Sequence, residues 1–392
     1  FALKTQRNDG MRYIPDLYRR GVNNFVVEHV PTDYATLYPH ANFLKVTNSL
    51  EALQRLAERH RDEFDIPVVG ITGSNGKTMV KEWLYQIMSP DVCVTRSPRS
   101  YNSQIGVPLS VWLLNEHTQL GIFEAGISQP GEMRALRGII QPTIAVLTNL
   151  GAAHQENFES MQAKCREKIQ LFHDAQTVVY DADDSVIAAE VEASGYPGER
   201  LCWSLTDAHA PMYISRIDKG DAHTLVAYSY QGGAEQHYQL PFIDDASISN
   251  SIVCATVALH LGVSADALAL RMQQLEPIAM RLEVKEGQHG CTLINDSYNS
   301  DVNSLDIALD FMRRRPDHQG RRRTLILSDI EQSGLTPQSL YGEVAQLCQQ
   351  RGVERFIGIG PQLCAAADEI TIADKSFFES VDAFVASPVF HT

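Results

Sequence analysis

The sequence predicts an α/β protein built around a parallel sheet with helices on both faces, and three observations carry that prediction. From about residue 64, short β-branched runs alternate with amphipathic stretches, the pattern of parallel strands joined by helical crossovers. The alternation breaks between Leu275 and Gly290, where Pro277 and two glycines interrupt the periodicity, and a second series starts at Thr292. At 392 residues the chain also exceeds one ordinary core, so two or three domains with clefts between them are expected.

Taken in order, residues 1–62 form a small leading module, 63–282 a central domain and 283–392 a last domain, joined to the second by a linker in the Leu275 to Gly290 stretch. Phe1-Ala2-Leu3-Lys4 reads as the end of a strand without its beginning, and the chain stops at Phe390-His391-Thr392 just after a helical pattern. Both end modules are therefore expected to continue in a longer natural polypeptide. Central strands are expected at Pro67 to Ile71, Gly121 to Glu124, Thr143 to Thr148 and Thr177 to Tyr180, each a short apolar run between turn residues. Helices should fill the gaps, at Thr78 to Ile87 and Ser160 to Phe172, followed by a β-rich patch from Met212 to Leu240 and a helix from Ser249 to Leu261. In the last domain Thr292 to Asp296, Thr324 to Leu327 and Arg355 to Ile359 each precede a helical pattern, a Rossmann-like repeat.

Composition excludes several classes. Hydrophobic residues make up 44% and charged residues 21%, the profile of a globular protein. A formal charge of -15 argues against a non-specific nucleic-acid binder, which needs a basic face. The one strongly basic run, Arg313-Arg314-Arg315 with Arg321-Arg322-Arg323, reads first as a solvated helix end and loop, with an anionic-substrate contact as the lesser reading. The 7 cysteines are scattered, without a Cys-x-x-Cys pair, which points to buried free thiols in a reducing cytoplasm. Neither an apolar run of membrane-spanning length nor a secretion signal is present in the chain.

The chemistry begins at Gly70-Ile71-Thr72-Gly73-Ser74-Asn75-Gly76-Lys77-Thr78. A strand, a Gly-rich turn and a helix opening on Lys-Thr surround phosphate oxygens with backbone N–H groups and a helix N-terminus. Lys77 would reach the terminal phosphates of a nucleotide and the Thr78 hydroxyl would hold Mg²⁺. The glycine spacing departs from the usual phosphate loop, since Ile71 stands where the first Gly is expected. Two further carriers are weaker when read alone. Glu124 ends a strand and can ligate Mg²⁺, although a strand-end Glu is more often solvated. Asn102, Ser103 and Gln104 can equally be a polar turn before a helix.

Thr72 to Thr78 with Lys81-Glu82 resembles the ATP loop of the Mur ligase and folylpolyglutamate synthase superfamily. The resemblance recurs at ordered positions over nearly the whole chain. It implies a three-domain architecture with a leading UDP-substrate domain, a central phosphate-loop ATPase domain and a last α/β domain. Gly73, Ser74, Asn75, Gly76, Lys77 and Thr78 would then bind ATP and Mg²⁺, with Glu124 a metal ligand. Tyr101-Asn102-Ser103-Gln104-Ile105-Gly106 is similar to the family segment that meets the muramoyl-peptide substrate. The resemblance also implies that His154 and, fourteen residues on, a carbamylated Lys168 flank a second Mg²⁺, Lys168 standing in the family's Lys-x-x-Leu/Ile-Phe context. Carbamylation turns the amine into an anion with two oxygens, and it needs a lysine that is partly neutral. Lys164 competes for that role.

The remaining matches are more divergent. Met280-Arg281-Leu282-Glu283 resembles the family's Gly-Arg-Leu/Met-Glu, which makes Arg281 a phosphate contact with Met in place of Gly. Asn250 stands where the central domain offers an Asn to the nucleotide base. Asp296-Ser297-Tyr298-Asn299 resembles the branch that adds D-alanyl-D-alanine, so Asp296, Tyr298 and Asn299 join the nucleotide set. The usual Ala-Asn-Pro-Asp-Ser continuation is here Ser300-Asp301-Val302-Asn303-Ser304. Leu327-Ser328-Asp329-Ile330-Glu331 resembles the Bacteroidetes variant in which such a ligase is fused to an alanine racemase. The implied reaction is an ATP-dependent, ADP-forming ligation of D-Ala-D-Ala to UDP-MurNAc-tripeptide through an acyl phosphate, in the cytoplasm, with closure of the last domain on the central one. Another member of the superfamily is the nearest alternative, and a nucleotide-driven switch without ligase chemistry is the alternative of a different class.

Overall fold

The computed structural model describes residues 1–4, 8–151, 155–278, 282–287, 290–297, 301–314, 321–331, 333 and 335–391. The leading module holds α1 (Ile14–Arg19), β1 (Asn24–Val27), α2 (Tyr34–Leu37) and β2 (Asn42–Lys45), with the two strands parallel and Phe25 opposite Phe43. Its core is small, centred on Ala2, Ile14, Phe25 and Val27. The opening residues make strand-like contacts without forming a strand: Ala2 N–H donates to the Val26 carbonyl, and Lys4 pairs with Asp9 in a lone bridge. α3 (Ser49–Arg61) begins at Asn48, whose side-chain oxygen accepts from the Leu50 and Glu51 N–H groups, satisfying donors that have no partner within a helix. It ends at Arg61, buried with its guanidinium donating to the Ile140 and Gln141 carbonyls at 3.0 and 3.2 Å. One end of this helix is thereby tied to the central domain.

That domain runs β3 (Val68–Thr72), α4 (Lys77–Met88), β4 (Val94–Arg96), α5 (Gly106–Val111), β5 (Leu120–Glu124), α6 (Glu132–Ile140), β6 (Ile144–Leu147), α7 (Met161–Ile169), β7 (Thr177–Val179), α8 (Ser185–Ala193) and β8 (Glu199–Arg200). The strands form one parallel sheet in the order β4-β5-β3-β6-β7-β8. Every residue of β3, β5 and β6 is buried, which is why these strands read as continuous apolar runs rather than alternating ones. One face is covered by α4 and by a second sheet of β9 (Trp203–Ser204), β10 (Met212–Lys219), β11 (Thr224–Tyr230) and β12 (Gln236–Leu240), with α9 (Asp245–His260) and α10 (Ala265–Gln273). Trp83 on α4 is fully enclosed there and stacks on Phe242; truncating such a residue costs about 3–5 kcal/mol. Ala57 of α3, Phe123, Leu136 and Cys165 pack the opposite face.

From β3 the chain crosses to β4, returns through β5 beside β3, and then crosses to β6 on the other side of β3. The carboxyl end of β3 is thus the switch point at which an open parallel sheet presents a ligand crevice.

The last domain corrects two expectations. The stretch read as linker contains β13 (Glu283–Glu286), and the strand at Thr292, β14 (Thr292–Asn295), pairs with it antiparallel instead of entering the parallel series. Gly290 at φ +72° and the Gly287 N–H to Cys291 carbonyl bond close this hairpin. Its four-residue polar strand is too short for a period-2 signal to stand out. α11 (Val302–Arg314), β15 (Thr324–Ser328), α12 (Pro337–Arg351), β16 (Arg355–Ile359) and β17 (Asp374–Phe378) follow, with β15-β16-β17 parallel. In the basic run, Arg313 pairs with Asp310 and Arg322 with Asp374, as expected of a solvated helix end and loop. Of the seven thiols, all free, Cys165, Cys254 and Cys348 are buried while Cys93 and Cys291 are exposed. Among the described residues, no helix is long and apolar enough to cross a membrane.

Candidate active site

The turn after β3 has its shape because two glycines adopt conformations that other residues avoid. Gly73 has φ +144° and Gly76 φ +81°, in the region open chiefly to glycine. Both are also packed: a Cβ on Gly73 would lie 1.9 Å from Thr148 Oγ1, and one on Gly76 would lie 2.3 Å from Asn250 Oδ1. The β6 end braces the loop from the side. Ser74 N–H donates to the Asn149 carbonyl (3.1 Å), Asn75 N–H to Asn149 Oδ1 (2.9 Å), and Thr148 Oγ1 to the Asn75 carbonyl (2.5 Å). Gly76 is the N-cap of α4, so the positive end of that helix opens where the loop ends. Lys77 folds back, its Nζ donating to the Gly73 and Ser74 carbonyls at 2.9 and 3.1 Å.

Beside the loop, Thr78 Oγ1 donates to Glu124 Oε2 at 3.1 Å and lies 2.9 Å from Ser100 Oγ. Glu124 is fully buried, and its Oε1 accepts no hydrogen bond, although the Lys81 ammonium lies 3.0 Å away as an ion pair. A buried carboxylate whose Oε2 meets a threonine hydroxyl is a hard-oxygen donor set that fits Mg²⁺. Among the described residues no three His, Cys, Asp or Glu come together, so any other ligand must be of a different type or lie outside them.

Lys168 approaches the loop from α7. Its side chain is buried and Nζ donates to the Gly73 carbonyl at 3.0 Å. Burial, with the positive charges of Lys77 and Lys164 adding to it, holds this amine well below the usual lysine range. Lys164 is also buried, donates to the Gly151 carbonyl at 2.5 Å, and is pushed down to about 8 by burial, opposed by Asp301. Both competing lysines are therefore depressed, but only Lys168 lines the cleft.

That cleft has a volume of roughly 390 Å³ and runs between the loop Gly73–Thr78, the segment Asn102–Ile105, Gly126–Ser128 and Leu50 of α3. Leading module and central domain thus share it. Asn102 Nδ2 lies 3.5 Å from Glu124 Oε2, Ser103 Oγ accepts from Gly106 N–H, and Gln104 is held by Gln54 of α3 at 2.9 Å. Asn250 is buried behind the loop against Gly76 and Met79, where it supports the turn. Asp296 Oδ1 accepts from Leu282 N–H (3.1 Å) at the base of the β13–β14 hairpin. His154, Arg281, Tyr298 and Asn299 lie outside the described residues. The last domain reaches the loop at the start of α11, where Ser304 Oγ is 3.3 Å from Asn75 Oδ1.

Lys81, Ser100, Thr148 and Asn149 received no role from the sequence. Lys81 left a faint signal, a charge four residues after Lys77 on a helix stretch that otherwise buries Val80, Trp83 and Leu84.

Comparison with known proteins adds three findings. Residues 71–258 match the Mur ligase middle domain. The chain is 24% identical over 368 residues to the UDP-N-acetylmuramoyl-tripeptide–D-alanyl-D-alanine ligase of Bacillus subtilis, covering 91% of this chain and 76% of that one. Its fold is similar to MurF from Acinetobacter baumannii (TM-score 0.83, 22% identity, covering 100% of this chain and 83% of that one) and to MurF ligase from Thermotoga maritima in complex with ADP (TM-score 0.79, 21% identity, 96% and 84%).

Proposed function

We propose that this chain, a Mur ligase by its middle domain and its fold, joins D-Ala-D-Ala to UDP-MurNAc-tripeptide with conversion of ATP to ADP and phosphate. The observation that carries the reading is the convergence of Lys77, Thr78 and Lys168 around one cleft at the switch point of a parallel sheet, with Glu124 bonded to Thr78 behind it.

A carboxylate does not accept an amine at neutral pH, so activation must come first. In the first step a carboxylate oxygen of the tripeptide attacks the γ-phosphorus and ADP leaves, giving an acyl phosphate. In the second the amine of D-Ala-D-Ala attacks the acyl carbon, phosphate leaves, and the amine proton passes to solvent. The chain contributes position and positive charge. Gly73 to Thr78 cradle the phosphates, and Lys77 swings from the Gly73 carbonyl to the terminal phosphates. Arg281, with Asp296, Tyr298 and Asn299, completes the nucleotide set, Asn250 serves it from behind by bracing Gly76, and Asn102, Ser103 and Gln104 meet the muramoyl peptide.

Thr78 and Glu124 would hold one Mg²⁺, His154 and the Lys168 carbamate a second, and the ions supply charge that offsets the transferring phosphoryl group. The carbamate forms when the neutral Lys168 amine attacks CO₂ and releases a proton; the depressed basicity of this buried amine supports that step. Domain limits at 62/63 and 282/283, a cytoplasmic setting, and a fused alanine racemase as partner belong to the same reading.

The test is ADP formation with UDP-MurNAc-tripeptide, with and without D-Ala-D-Ala. The dipeptide should be required for sustained turnover. Hydrolysis indifferent to both substrates would replace the ligase with a nucleotide-driven switch.

A further inference from the structure

We infer that Lys81 is a positioning residue that locks the substrate loop, residues 97–104, onto Glu124 and selects which oxygen of that carboxylate faces Thr78. The inference rests on the reading of this loop and of Glu124 given above. Lys81 sits one turn after Lys77 on α4, with a side chain that is 0% exposed. A wholly desolvated ammonium is tolerated only when its donors are matched. Here Nζ donates to the Ser97 carbonyl at 2.8 Å and to the Arg99 carbonyl, and its charge is offset by Glu124 Oε1 at 3.0 Å and Glu82 Oε1 at 3.1 Å. Arg96 Nε, 3.0 Å from Glu82 Oε2, completes a cluster of two cations and two carboxylates.

The loop takes its shape from this ammonium. Arg99 has φ +50°, a left-handed conformation that is uncommon and strained for an arginine, and its carbonyl is one that Lys81 grips. On either side, Glu124 N–H donates to Ser97 Oγ (3.2 Å), Ser100 Oγ meets Thr78 Oγ1, and Asn102 Nδ2 approaches Glu124 Oε2. With Lys81 beside Oε1, Oε2 is the oxygen turned to Thr78. Such contacts fix the orientation of a carboxylate that would ligate an ion. Lys81 thereby couples the substrate segment to the phosphate loop without itself reaching either ligand.

Two substitutions separate its tasks. K81Q keeps donors for the two carbonyls and loses the charge; K81M loses both. Binding of UDP-MurNAc-tripeptide is measured by calorimetry and binding of a fluorescent ATP analogue with Mg²⁺ by titration, neither needing turnover. K81M should weaken UDP-MurNAc-tripeptide binding by roughly tenfold to a hundredfold, the strength of charge-assisted hydrogen bonds such as those that hold the loop, and the nucleotide, held mainly by the backbone of the phosphate loop, by much less, with K81Q between. Equal losses for both ligands, or no loss for either, would overturn the inference. If K81M does not fold, K81Q decides by the same comparison. Failure of the unsubstituted chain to bind UDP-MurNAc-tripeptide would instead sink the functional reading itself.

Discussion

Replacing Lys168 by alanine tests the site most directly. The substitution removes the amine that is to carry the carbamate, and loss of one preorganised charged group at a reacting phosphoryl centre costs about 2.7–4 kcal/mol in the transition state. Turnover should therefore fall by roughly a hundredfold to a thousandfold. Stability should move much less. Three buried methylenes are lost, worth about 2.4 kcal/mol at most, together with one hydrogen bond to Gly73 worth about 1 kcal/mol. Against this, burial penalises the charged form of Lys168 in the folded chain, a penalty that alanine does not carry. The assay is phosphate release with both substrates at saturating Mg²⁺, run beside a thermal melt, with acetate or propionate added to refill the vacated space. We expect a large loss of turnover, a melt close to that of the unsubstituted chain, and partial recovery with the small carboxylates. Full turnover in K168A without any added carboxylate would refute the carbamate.

Three further outcomes follow from the geometry. G76A puts an L residue at φ +81° against Asn250 Oδ1, a conformation costing about 1–2 kcal/mol before the clash; affinity for an ATP analogue should drop roughly tenfold or more, and N250A in the same chain should restore part of it. Chelation of divalent metal should stop ADP formation without moving the thermal midpoint, since no His, Cys, Asp or Glu cluster among the described residues marks a structural metal site. Asp181 is pushed up to about 6, chiefly by burial and then by Asp183 and Asp184, against a hydrogen bond from the Asp183 N–H. Between about pH 4 and 6 the folded chain keeps a proton that the unfolded one has lost, so its contribution falls as pH rises through that window. D181N should thus stabilise the fold by about 1 kcal/mol near pH 7.5, allowing for solvent screening, and by nothing near pH 4, as denaturant titration at the two values will show.

The amino-acid sequence determined the elements and the phosphate loop because both are local. Apolar runs such as Val68-Val69 and Ile122-Phe123, short and set between turn residues, read as strands buried on both faces, and Gly73 and Gly76 stand where the backbone turns left-handed. Glu124 and Lys168 stood out only through the family resemblance, with Lys164 left as a competitor. The hairpin of β13 and β14 escaped because four residues carry too little periodicity, and the hold of α3 on the central domain escaped because Arg61 finds the carbonyls of residues 140 and 141 only in space.

Which lysine can be neutral was decided by tertiary structure alone. Lys77, Lys164 and Lys168 are brought together around Gly73 and Gly151 across a separation of 95 residues between Gly73 and Lys168. Desolvation and like-charge repulsion depend on what surrounds a group in three dimensions, and no spacing along the chain encodes them. For the same reason Lys81 reads as an ordinary helix lysine until the fold encloses it between two carboxylates and two carbonyls.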